Sequence, residues 1–580
     1  MTATKSNEHG KPNIIRPFGN LECYEFHMLQ LRFLGRVILN CRYSIPASLA
    51  APEFHDHVVV GVEEAIARVV LEHPALRLDV VNPDTKRPLW RAVDEVDLAH
   101  HVQWEDVDVG GDDDGMAAYE ETLHQRIEKL LDKPFTSLSL AGRPQWEVLI
   151  LSNRKTDNAF LDIVFSYNHA LGDGTSGKIF HQSLLRALNN TTPGALLLEP
   201  NPNPESDTET VPPPPSRNRI LRIPPNTTHN LPPPIEKAGK FSISSKYAAS
   251  MLWKELLRPP PFLRRNTAKA HWAPISTEPF KTRFRAFDIP AVALGRVLAA
   301  CRAHGTTLTA LLHALLLVAV AMRMGEGDAT AFTGGTALDL RRHLQRGKKG
   351  QEKGKGKKGG KEKEKQLCKD PEFEDPSGLM GVYVSLMEHE FGADLVRRIR
   401  AAAAADHEDA IGSGGSGGDA NGTEPALSPS PALVDLIWQC ATQVRAEIQQ
   451  RLDQGLENDP VGLMKFVPDW RAQFRADARS KVRTSSFIVT NLGVLLPDRV
   501  ETEADRTVKT SDDDGGWTAA HALFAVSTEV CGAAFQVSPI SVVDGALCVG
   551  CSWQDCVVEC ALAEAMVGDL RRWLGLISQA

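Results

Sequence analysis

The residues best suited to chemistry are His169 and Asp173, four apart in segment 160–178, FLDIVFSYNHALGDGTSGK. Imidazole titrates near neutral pH, so a histidine held in place can take the proton of a hydroxyl group while its oxygen attacks an activated carbonyl. A carboxylate on the following turn can steer a neighbour or cap a helix. The elements around the pair fit that task. Residues 160–167 are apolar, β-branched and aromatic, which predicts a buried strand. Gly172 and Gly174 bracket Asp173, and glycine admits backbone angles closed to other residues, which predicts a tight turn. Thr175 and Ser176 then stand ready to cap a helix whose apolar positions Ile179, Phe180, Leu184, Leu185 and Leu188 recur at helical spacing. A strand thus delivers a histidine to its end, with a stiff turn after it. The bland alternative is a satisfied core histidine followed by a helix-capping aspartate.

Other patterns carry less. Residues 172–179, GDGTSGKI, come near a phosphate-binding loop, but Ile179 stands where a magnesium-holding hydroxyl belongs, and Asp173 would put negative charge among the phosphates. Residues 412–417, GSGGSG, fit a dinucleotide fingerprint by letter only, since no strand precedes them. Cys548, Cys551, Cys556 and Cys560 lack paired Cys-x-x-Cys knuckles, and the first two lie in an apolar run. They read as small buried side chains, and no metal site is expected.

At 580 residues the chain exceeds one ordinary core, so at least two core-building units are expected. A net charge of -8 argues against a nucleic-acid partner. Ten cysteines give no disulfide framework, residues 1–13 carry no apolar signal core, and the longest apolar run, 308–322, is short for a bilayer and contains His313. A cytoplasmic chain is expected, with peripheral contact to intracellular membranes left open. Helical periodicity covers 58–71, 119–131, 290–301 and 557–577, and a long apolar helix opens at 305–307 and runs to 324. Strand patterns cover 146–151, 160–167, 284–289, 330–340, 486–490, 522–528 and 546–553, the first two as a hairpin. His73-Pro74 ends the helix before it. Segment 196–271 is proline-rich and reads as an extended connector. Insertions near 346–366 (Lys, Gly, Glu) and 406–431 (Ala, Gly, Ser) are too poor in apolar residues to pack.

In combination these pieces resemble a known family. His169-Ala170-Leu171-Gly172-Asp173-Gly174 is similar to the His-x-x-x-Asp-Gly signature of the CoA-dependent acyltransferases, and Asp339-Leu340-Arg341 to their Asp-x-Arg element. Residues 16–22 (RPFGNLE), 73–76 (HPAL) and 490–493 (TNLG) resemble further landmarks of the fungal alcohol acetyltransferases within that superfamily, which includes chloramphenicol acetyltransferase, BAHD enzymes and condensation domains. The BAHD motif Asp-Phe-Gly-Trp-Gly is absent. The resemblance implies an α/β (α+β) fold of two chloramphenicol-acetyltransferase-like lobes, each a mixed sheet flanked by helices, with an interlobe tunnel. The lobes would span 14–195 and 272–580. It implies O-acetyl transfer from acetyl-CoA to a small-molecule alcohol, with His169 as general base, no acyl-enzyme and no permanently bound cofactor. It implies that Asp173 pairs with Arg341 instead of joining His169 in a triad, and that Gly174 completes the signature. A tetrahedral intermediate needs hydrogen-bond donors, for which Thr490, Asn491 and Gly493 or nearby amides are candidates. A monomer is expected. Amide-forming or larger-acyl transfer, and a silent member that only binds, stand as alternatives.

Overall fold

The structure is a computed structural model that describes residues 14–109, 113–135, 142–153, 159–190, 197–198, 219–224, 227, 231–256, 272–344, 376–412, 430–480, 482–483, 485–495 and 515–579. Two sheets organise it. The first runs, in spatial order, Thr518–Val526, Val37–Ser44, Phe160–Tyr167, Trp146–Asn153 and Val102–Val107. The expected hairpin is there, antiparallel, with Trp146 opposite Tyr167. Both of its strands are buried along their whole length, which is why they read as continuous apolar runs and not as alternation. The second sheet runs Thr282–Ile289, Leu547–Gln554, Phe535–Val542, Phe487–Val489, Phe332–Asp339 and Val384–Phe391, and Gly493–Leu495 pairs with Phe535–Val542. It is mixed, since Phe487–Val489 pairs in parallel with both of its neighbours.

Helices flank each sheet, giving the two-lobed α/β architecture expected. In the second lobe the helix Leu308–Arg323 is buried from Ala310 to Ala321, so its apolar composition belongs to a core. No single helix among the described residues is long and apolar enough to cross a membrane.

Three features depart from the sequence expectations. The edge strand of the first sheet, Thr518–Val526, comes from the second half of the chain, so the lobes are not two continuous stretches divided near residue 272. The proline-rich segment is packed where it is described. Ile220–Arg222 pairs with Glu95–Asp97, Arg16 donates to the Pro232 carbonyl at 3.0 Å, and the Tyr383 hydroxyl donates to that of Pro233 at 2.9 Å. Proline still offers a carbonyl and an apolar ring, and its fixed φ lowers the entropy lost on docking. The run 212–215 lies outside the described residues. Lastly, helix Ala393–Gly412 continues into the expected second insertion, because alanine is the strongest helix former and no glycine intervenes before Gly412. Insertion 346–366 lies outside the described residues.

Candidate active site

The turn carrying His169 is clamped at its base. Asn168 accepts from the Ala170 amide at 2.9 Å and donates to the Gln145 side chain, while its own amide donates to the Gln145 carbonyl at 3.0 Å. Helix Gly174–Asn189 begins directly after Asp173, which is itself the N-cap. This corrects the expectation that Thr175 and Ser176 provide the cap: Asp173 Oδ1 accepts from the Ser176 amide at 3.0 Å and from its hydroxyl at 3.1 Å.

The glycines serve a different purpose from the one the sequence suggested. Neither Gly172 nor Gly174 has positive φ. A Cβ on Gly174 would lie 2.5 Å from Leu492 Cδ2 and 3.1 Å from the Phe524 ring, and one on Gly172 would lie 2.6 Å from Ser176 Cβ. The requirement is space. Gly174 lets the 490–493 segment of the second sheet close onto the turn, and Lys178 Nζ donates to the Leu492 carbonyl at 2.8 Å across the same contact.

Asp173 is fully occupied. Arg341 grips it bidentately, Nη1 to Oδ2 at 2.8 Å and Nη2 to Oδ1 at 2.9 Å, and the Tyr383 amide donates to Oδ2 at 2.9 Å. Both partners are buried. Burial alone would raise the Asp173 carboxyl, but Arg341 and the surrounding donors outweigh it and hold the group below the ordinary carboxylate range. Arg341 also donates to the Leu379 and Gly381 carbonyls, both at 3.1 Å from Nη2. The pair therefore stitches the turn of the first lobe to the Asp339-Leu340-Arg341 element of the second.

His169 stands apart from that network. Its side chain is 16 % exposed, and Nδ1 lies 3.9 Å from Oε2 of Glu25, a buried residue of helix Asn20–Gln30. Neither of those two atoms has a hydrogen-bond partner. Burial pushes the imidazole below its ordinary range, against the opposing pull of its own carbonyl and of the Asp173 and Glu529 carboxylates. The ring is thus neutral at neutral pH, the form able to accept a proton. Burial, with a contribution from Asp173, pushes the Glu25 carboxyl up to about 8. Glu25 was missed in the sequence. Its only signal was a charged residue between Tyr24 and Phe26 in a helix that is otherwise largely buried.

Of the residues expected to serve the oxyanion, the Thr490 amide is spent on the Val537 carbonyl at 2.8 Å. The Thr490 hydroxyl accepts from Gln536 Nε2 at 3.3 Å, which leaves its own proton free to be donated. Asn491 is engaged at both ends, donating to Thr309 Oγ1 at 2.9 Å and accepting from the Gly493 amide at 2.8 Å, and Gly493 takes a positive φ of 67° to close that turn. A cleft lined by Arg16, Trp90, Leu171, Pro233 and Tyr383 adjoins the turn from behind. It borders Ala170 and Leu171, and His169 is not among its walls.

Residues 114–327 match the alcohol acetyltransferase family, a stretch that holds His169 and Asp173 and ends before Arg341. The probable alcohol acetyltransferase FCK4 of Fusarium pseudograminearum is 26% identical, with 98% of this chain and 97% of that one covered. The probable alcohol acetyltransferase crmB of Aspergillus fumigatus is 24% identical over 93% of this chain and 95% of its own. Among solved structures, TRI3 trichothecene 15-O-acetyltransferase from Fusarium sporotrichioides superposes with a TM-score of 0.59 at 13% identity, covering 97% of this chain and 94% of that one. That last likeness carries the fold. The resemblance drawn from the motifs stands, and the class of enzyme is acyltransferase.

Proposed function

We propose that this acyltransferase, with its alcohol acetyltransferase domain over residues 114–327, moves an acetyl group from acetyl-CoA to the hydroxyl of a small alcohol. The observation that carries the reading is the division of labour at the turn. Asp173 is consumed by Arg341, so it cannot tie up the imidazole, and the His169 ring stays partly exposed. In the proposed reaction His169 takes the hydroxyl proton as the alcohol oxygen bonds to the thioester carbonyl carbon. The Thr490 hydroxyl donates to the resulting oxyanion. Collapse breaks the carbon–sulfur bond, and the departing CoA thiolate takes the proton back from the imidazolium. Products are the ester and free CoA, and the histidine returns neutral. A thioester is already activated, so no bond to the enzyme is needed.

The test is CoA release from acetyl-CoA in the presence of a panel of alcohols. His169→Ala should fold and bind CoA as the parent does while turnover falls by about 10²–10⁴-fold, the range for loss of a general base. Near-parental transfer by a folded His169→Ala protein would overturn the assignment. A parent that turns over amines or longer acyl thioesters in preference would favour the neighbouring acyl-transfer chemistries.

A further inference from the structure

Where the two sheets meet, three side chains of different chemistry converge. Asp288 and Cys548 are register partners across the antiparallel pair Thr282–Ile289 and Leu547–Gln554 at the edge of the second sheet. His521 comes from Thr518–Val526, the strand that the second half of the chain contributes to the first sheet. Its Nε2 lies 3.0 Å from Asp288 Oδ1, and one ligand atom from each of Asp288, His521 and Cys548 lies within 4.8 Å of the others. The strand carrying His521 has a register shift between Ala519 and His521. An extra residue at such a bulge re-aims the side chains after it, and bulges recur where a strand must present a group and not merely pair.

We propose that Asp288, His521 and Cys548 form a divalent metal site of zinc-like preference that fastens the first sheet to the second. Thiolate sulfur, imidazole nitrogen and carboxylate oxygen are the three donor types zinc accepts, at about 2.0–2.3 Å each. Tetrahedral bonds of that length set donors roughly 3.4 Å apart, so the 3.0 Å contact between His521 and Asp288 would open by tenths of an ångström, and any separation near the 4.8 Å limit of the cluster would close onto the ion. Charge also balances, since one carboxylate and one thiolate neutralise a divalent ion. Three protein donors leave a fourth position, which water or Glu120 of helix Asp113–Asp132 can fill. Glu120 and His124 of that helix both interact electrostatically with Asp288 and His521. The same helix is already docked on strand Thr282–Ile289 through Asp132, which accepts from the Thr282 amide at 2.8 Å and hydroxyl at 2.6 Å. Cysteine spacing gave no hint of the site because its ligands come from three strands, only one of them bearing the cysteine.

The test uses the full chain freed of metal with a chelator and titrated with cobalt(II) as a spectroscopic stand-in for zinc. A thiolate-to-cobalt charge-transfer band and intense four-coordinate visible bands should saturate at one cobalt per chain and vanish on adding zinc. Cys548→Ala and His521→Gln should each abolish the charge-transfer band or weaken binding by about tenfold or more, while Cys560→Ser leaves it unchanged. If Cys548→Ala fails to fold, the His521→Gln variant, at a side chain only 17% exposed, decides. No thiolate band at saturating cobalt, or a His521→Gln protein that keeps the band with parental cobalt affinity, would overturn the proposal and leave the three groups as a hydrogen-bonded cluster.

Discussion

Two buried carboxyl groups flank the same histidine-bearing turn, and they are held in opposite states. Asp173 accepts from Arg341, Tyr383 and Ser176 and stays ionised. Glu25 lies 3.9 Å from His169 with an oxygen that no donor satisfies, and its carboxyl is pushed up to about 8. Burial acts on both, and the presence of a cation decides the outcome. The paired group is locked and can only hold geometry. The unpaired one can change charge near neutral pH, and it faces the ring that must do so in the proposed reaction.

The largest effect should come from unpairing Asp173. Arg341→Ala leaves a buried carboxylate without its cation, which costs on the order of 3–5 kcal/mol, and Asp173→Ala should cost similarly by stranding the guanidinium. Denaturant titration would show it, with activity falling alongside. The double variant should recover part of the loss, since neither charge is then stranded. Two singles within about 0.5 kcal/mol of the parent would show that the pair contributes nothing beyond its hydrogen bonds.

A smaller, pH-dependent effect separates the two carboxyls thermodynamically. Glu25 binds its proton more tightly folded than unfolded, so folding stability falls as pH rises from the ordinary value of 4.5 to about 8. Glu25→Gln, which keeps the shape of the neutral acid, should remove that slope and gain on the parent steadily through this window, with no gain below it. Asp173 has the reverse sign. Its folded value is depressed, so its stabilisation is present above the ordinary 3.8 and is lost as pH falls through the folded value. Thermal melts of the parent and Glu25→Gln from pH 4 to 9 would check the Glu25 slope, and parallel curves would sink it.

The paired half of this comparison was legible in the sequence and the unpaired half was not. The histidine, the aspartate and the Asp339-Leu340-Arg341 element sit in short motifs, and strand Phe160–Tyr167 and helix Gly174–Asn189 follow from local apolar patterning. Glu25 comes from a helix far upstream, and its place between Tyr24 and Phe26 is too weak a signal to distinguish a buried glutamate from a solvated one. The transfer of Thr518–Val526 to the first sheet is equally non-local, because strand pairing depends on partners that periodicity cannot name. At Gly174 the constraint is Leu492 arriving from the other lobe and not the backbone angle the sequence suggested.

The smallest effect is kinetic and bears on why an unsatisfied carboxyl sits beside the proposed base. Below about pH 8 Glu25 is neutral and does nothing for an imidazolium; above it, a carboxylate 3.9 Å from Nδ1 favours the protonated ring. The transition state carries part of that proton, so the parent should show a second rise in turnover as Glu25 ionises, above the plateau already reached when His169 is neutral. Glu25→Gln has no charge to supply. It should match the parent near pH 6 and trail it by roughly 3–10-fold near pH 9, because a neighbouring charge shifts proton affinity by about a unit and only a fraction reaches the transition state. Asp173 and Glu529 also act on the ring, but Asp173 is already ionised and neutralised by Arg341, so its titration lies far below this window. Glu25→Asp, which retracts the charge, should fall between the two. Identical pH–rate profiles for the parent and Glu25→Gln would reduce Glu25 to a packing residue, leaving Asp173 as the carboxylate that matters at the turn.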